Sequence, residues 1–95
     1  MFTVIVRYTV QPGHEQEVQT ILSKMVGPTR DEPGCADYRV HRSLTDRSVF
    51  VLYEQYVDQA ANEAHMETEY FKRHILQEAL PLLVSRVRET FERLE

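Results

Sequence analysis

Cysteine is nearly absent from this 95-residue chain, which has one, Cys35. No intrachain disulfide framework can be built on a single thiol, and its isolation fits a reducing cytoplasm. Positive charge is short as well: 11 Lys and Arg face 15 Asp and Glu, leaving a net charge of −4. Nucleic acid wants a basic face to displace counterions, so that class of partner is excluded. Long apolar runs are missing too. Nothing approaches the roughly 18 residues of a membrane span. The opening "MFTVIVRYTV" is too short and too charged for a span or a signal peptide.

What is there reads as one folded domain over residues 1–95. Hydrophobic residues at 42% against 27% charged argue against disorder. "FTVIVRYTV" sets Phe2, Val4, Val6 and Tyr8 against Thr3, Ile5, Arg7 and Thr9, a β-branched alternation that predicts a strand. "QPG" breaks it. Val18, Ile21, Leu22, Met25 and Val26 then recur at helical spacing, and "GPTRDEPG", with two Gly and two Pro, is expected to end that helix.

"CADYRVHRS" predicts a second strand, with Ala36, Tyr38 and Val40 on one side and Asp37, Arg39 and His41 on the other. "LTDR" is a turn, and "SVFVLYEQYV" a third strand that closes a hairpin with the second. There Val49, Val51 and Tyr53 alternate with Phe50, Leu52, Glu54 and Tyr56, so both faces are largely apolar. An antiparallel sheet normally wets one face, so something must cover each. Asp58 is placed to cap a helix through "QAANEAHM", and Thr68 to restart it as "EYFKRHILQEAL" with Phe71, Ile75 and Leu80 inward. The tail is ambiguous: Val84, Val87, Phe91 and Leu94 fit a helix, whereas Val87, Glu89 and Phe91 alternate as a strand would.

With a terminal strand, the order is the ferredoxin-like βαββαβ of the α+β class, a four-stranded antiparallel sheet with helices on one face. The remaining apolar face is then most simply covered by the same face of a second copy, so a symmetric homodimer is expected.

Four blocks carry a family resemblance. "VQPGHEQEV", "RDEPGCADYRVHRS", "FVLYEQYVDQAANEAH" and "TEYFKRH" together resemble the antibiotic biosynthesis monooxygenase family of dimeric α+β barrels, over about residues 2–80. The resemblance implies that "SRVRETFERL" is the fourth strand. It also implies work on aromatic polyketides, quinols and related carbonyl compounds, several members oxidising them with O₂ and no metal or flavin. Related folds include haem-degrading enzymes and an isomerase of a phosphorylated quorum signal, so fold does not fix chemistry. The haem branch relies on a first-strand asparagine and a tryptophan. "FTVIVRYTV" has no asparagine and the chain no tryptophan, which disfavours haem breakdown.

The resemblance places His65 where the family carries its recurrent helix histidine. Glu54, among apolar neighbours, must find a partner or stay protonated, and His65 is the natural candidate. Two readings stand: a buried Glu54–His65 contact that locks helix to sheet, or a catalytic pair with His65 as base and Glu54 orienting it. Eight of the nine aromatics, Phe2, Tyr8, Tyr38, Phe50, Tyr53, Tyr56, Tyr70 and Phe71, lie on strands or the second helix. They fill the core or line a site for a flat aromatic ligand. Tyr56, Tyr38, Tyr70, Phe71 and Tyr8 are the candidate substrate contacts. His74 joins them, or is simply a solvated helix-terminal histidine.

Metal is not expected. His65 and His74 lie on opposite sides of a continuous helix, and His65 with Glu69 makes only a pair. Cys35, with no histidine at a motif spacing, reads as structural. Arg7, Arg39, His41 and Arg42 read as rim charges, or alternatively as contacts for an anionic substrate. The expected function is cofactor-independent oxidation of a small quinol, phenol or anthrone by O₂. The alternatives are non-oxidative isomerisation of a small phosphorylated or keto compound, and a non-catalytic ligand-binding dimer.

Overall fold

The β-branched alternation at the N-terminus forms β1 (Phe2–Val10) in the computed structural model, which describes all residues from Met1 to Glu95. It is followed by α1 (Glu15–Arg30), β2 (Cys35–Arg42), β3 (Val49–Tyr56), α2 (Gln59–Met66) and α3 (Glu69–Phe71). The last helix continues as a π-helical stretch, Lys72–Ala79, and a 3-10 turn, Leu80–Leu82, before β4 (Leu83–Glu92). All pairings are antiparallel, in the order β2-β3-β1-β4, the ferredoxin-like arrangement. The tail is therefore a strand. No helix is long and apolar enough to cross a membrane.

Strand alternation sends Val4, Val6, Tyr8 and Val10 of β1 and Phe50, Leu52, Glu54 and Tyr56 of β3 to the helix-covered face, where they are buried with Val18, Leu22 and Met25 of α1. The register fixes rows across this face: Tyr38–Glu54–Val4, Val40–Leu52–Val6–Arg88, and Phe50–Tyr8–Arg86. The opposite face is open. Its Val87 and Phe91 are 51% and 43% exposed, while Gln55 is buried with no partner for Oε1.

α1 ends inside "GPTRDEPG" as expected, at Arg30, with Gly27 and Pro28 still within its last turns. Two local expectations fail, each for a physical reason. Ala36 does not share a face with Tyr38 and is exposed, since a bulge between Cys35 and Asp37 makes it the extra residue. Leu80 does not point inward. The wider i→i+5 turn keeps burial on residues four apart, Phe71, Ile75 and Ala79, and leaves Leu80 outside.

Candidate active site

His65 lies in the last turn of α2, and that turn is fixed from both ends. Asp58 caps the helix, accepting from the Ala61 N–H at 2.9 Å. After the helix, Thr68 donates its hydroxyl to the His65 carbonyl at 2.8 Å and caps α3 by accepting from the Phe71 N–H at 3.2 Å. The ring is 2% exposed and sits among four aromatic rings. Centroids of Phe71, Tyr56, Tyr38 and Tyr70 lie 5.2, 5.5, 5.9 and 6.5 Å away.

The partner of His65 is Glu32, not Glu54. His65 Nδ1 is 2.8 Å from Glu32 Oε2, and the Tyr70 hydroxyl donates to that same oxygen. Glu32 opens the turn after α1, with Pro33 next and the Cys35 N–H donating back to the Glu32 carbonyl at 3.1 Å. Gly34 completes it. A Cβ there would collide with Ala61 of α2, so glycine is what lets the turn lie close enough for Glu32 to reach the ring. His65 Nε2 bonds to nothing within the chain.

Glu54 pairs within its own strand. It is 5% exposed and accepts the Tyr56 hydroxyl at 2.6 Å, two residues along the same face. Burial pushes its carboxyl above the usual range, opposed by the Tyr56 hydrogen bond and the charge of His65. Burial and the nearby Glu54 charge likewise push the Tyr38 phenol upward, so it stays protonated as a donor.

These groups meet at a narrow cavity of about 10 Å³ between sheet and helices, room for about one water molecule. His65, Glu54, Tyr38, Tyr8 and Phe71 line it. So do Asn62, Met66, Arg86 and Arg88, which sequence reasoning missed. Of the expected substrate contacts, Tyr38, Tyr8 and Phe71 reach the cavity. Tyr56 and Tyr70 flank His65, but their hydroxyls are spent on Glu54 and Glu32. His74 lies outside, its Nδ1 2.7 Å from Glu78, whose carboxyl that contact holds low. Arg39 pairs with Asp37, and Arg42 bonds Gln19 and lies over Phe50, so both stay at the rim. Cys35 is half-buried, its thiol pushed up to about 11 by burial and by the Glu32 and Glu54 charges. No three His, Cys, Asp or Glu side chains gather with metal-binding geometry.

A ferredoxin-like sheet under helices, with a buried histidine between a carboxylate and an aromatic cavity, defines the class. The family description "Antibiotic biosynthesis monooxygenase" matches residues 1–76, and the chain belongs to that family. The uncharacterised protein sll1783 of Synechocystis is 30% identical over 66 residues, 70% of this chain and 45% of its own. Rv0793 of Mycobacterium tuberculosis, provisionally named a monooxygenase, is 31% identical over 68 residues, 72% of this chain and 66% of its own. The chain thus spans under half the length of the first of these curated relatives and about two thirds of the second. The crystal structure of PA3566 from Pseudomonas aeruginosa matches with a TM-score of 0.93 at 34% identity, covering 99% of this chain and 94% of that one.

Proposed function

We propose that the chain is a cofactor-independent monooxygenase of a small aromatic quinol, phenol or anthrone. One observation carries this reading: a buried histidine whose Nδ1 is held by a carboxylate while its Nε2 has no partner in the chain, lining a cavity with Tyr8, Tyr38 and Phe71. That is how a carboxylate sets an imidazole tautomer for proton abstraction.

His65 Nε2 takes a proton from the substrate, and Glu32 stabilises the imidazolium through Nδ1. Tyr38 donates to the ring oxygen as its charge grows, in a site from which most water is excluded. The electron-rich anion passes one electron to O₂, and the radical pair recombines into a carbon–oxygen bond. His65 returns its proton to the peroxide. The hydroperoxide then loses its carbon-bound hydrogen and its outer oxygen as water, so that a CH₂ group and O₂ become a carbonyl and H₂O. Glu32, its side chain 14% exposed, also borders a surface groove beside Ala61 and Ala64, which gives protons a path to solvent. The cavity is tight, so Met66, Arg86 and Arg88, long unbranched side chains, must swing aside as a flat substrate enters.

The test is oxygen uptake in metal-free buffer with a panel of reduced quinols and anthrones. Uptake without added metal or flavin supports the oxygenase; no uptake across the panel sinks it. A second reading, isomerisation by the same base, is favoured by the two arginines facing the cavity. It gives turnover under anaerobic conditions.

We propose in addition that the open sheet face pairs with that of a second copy, forming the homodimer. Exposed Val87 and Phe91, and the unpartnered Oε1 of buried Gln55, support this.

A further inference from the structure

We propose that the cavity takes an aromatic substrate carrying a carboxylate, which Arg86 and Arg88 hold while the ring lies against His65. The proposal rests on the base reading of His65 only for which end of the substrate reacts.

β4 places the two arginines by alternation. Arg86 stands opposite Tyr8 and Arg88 opposite Val6, both on the helix-covered face, whereas Glu89 points to the other side. Both are half-buried in a chain that has acids to spare, yet none of its ion pairs uses either one. Their protein contacts are neutral. Arg86 Nε donates to the Tyr8 hydroxyl at 3.3 Å, with the guanidinium over the Tyr8 ring, and Arg88 donates to Asn62 Oδ1.

Each guanidinium carries five donors in a planar fork, so most remain unspent. Withdrawing two such cations from water is costly unless an anion meets them. The one carboxyl that lines the cavity, Glu54, is engaged by Tyr56 and leaves the site with excess positive charge even when ionised. A planar carboxylate matches the fork in a bidentate way that a neutral ring oxygen does not. Arg7, Arg39 and Arg42, the positive charges conspicuous in the sequence, take no part in this site.

Calorimetric titration of the intact chain with 1-hydroxy-2-naphthoate and with 1-naphthol tests this directly. Neither ligand requires turnover. The acid is expected to bind about tenfold tighter or more, with the preference weakening as salt rises. Arg88→Met and Arg86→Gln should each bring the ratio of the two affinities close to one, whatever they do to 1-naphthol binding itself, and Arg88→Lys should restore part of the ratio. Circular dichroism of each variant checks that it folds. Equal affinities, no binding of either ligand, or a preference that survives both substitutions would overturn the proposal. A preference retained in His65→Ala, with no oxygen uptake by the wild type, would leave the anion site standing and remove the oxygenase.

Discussion

Glu32 Oε2 lies 2.8 Å from His65 Nδ1, across 33 residues of chain, and the two side chains form the one contact that ties the α1–β2 turn to the end of α2 through a titratable pair. Removing the charge while keeping the hydrogen bond isolates its effect. Glu32→Gln should fold normally and lower turnover by at least about tenfold, within the range that acid–base positioning supplies. The loss should fall mainly on kcat and be smaller in Glu32→Asp. Steady-state kinetics of both variants, with an activity–pH profile, check it; an unchanged profile in Glu32→Gln would remove Glu32 from the mechanism.

Glu54 gives the fold a pH signature. Burial holds its folded carboxyl above the ordinary 4.5, so the protonated form is the one that the fold favours. Stability from this group is therefore present below the unfolded value and lost as pH rises through the folded one. Glu54→Gln keeps an oxygen for the Tyr56 hydroxyl and cannot ionise. Its Tm relative to wild type should rise from pH 4 to pH 8. A difference that is flat across that range would mean Glu54 is not desolvated as described.

Gly34 sets the distance between Glu32 and α2. In Gly34→Ala the new methyl meets Ala61, forcing turn and helix apart at a cost of about 1–3 kcal/mol. Urea unfolding should show that loss. Turnover should drop further than stability alone explains, because the Glu32–His65 contact lengthens.

Cys35 should be inert while the chain is folded. With its thiol near 11, about one molecule in a thousand is thiolate at pH 8. Alkylation by iodoacetamide should proceed far more slowly than in urea-unfolded protein, and Cys35→Ser should retain turnover. Fast modification of the folded chain would contradict the buried placement.

The open sheet face yields a prediction about mass. Light scattering should find a dimer, and Val87→Glu, a charge placed on that face, should shift it towards the monomer. A monomeric wild type would sink the homodimer.

Much of this was legible in the chain, and the exceptions share a cause. β1, the β2–β3 hairpin and the caps at Asp58 and Thr68 were readable because alternation and capping act over a few residues. Tyr38, Tyr56, Tyr70 and Phe71 stood out in the sequence as candidate substrate contacts, but only the structure shows all four packed round His65. Glu32 was not readable, because it sits in a turn without periodicity, and only tertiary packing brings it under α2. Glu54 looked like the partner of His65 until strand geometry showed Tyr56 beside it. Arg86 and Arg88 were missed although the resemblance made the tail a strand: alternation puts both on one face, but only the register with β1 shows that this is the face the helices cover. The π-helical turn that buries Ala79 in place of Leu80 left no signal in the spacing.

The most direct test compares oxygen uptake by wild type and His65→Ala, with one quinol or anthrone that the wild type oxidises, in metal-free buffer. His65→Ala should fold, by circular dichroism, and lose roughly 10²–10⁴ of the rate. Uptake by folded His65→Ala at the wild-type rate would contradict the assignment of His65 as the base.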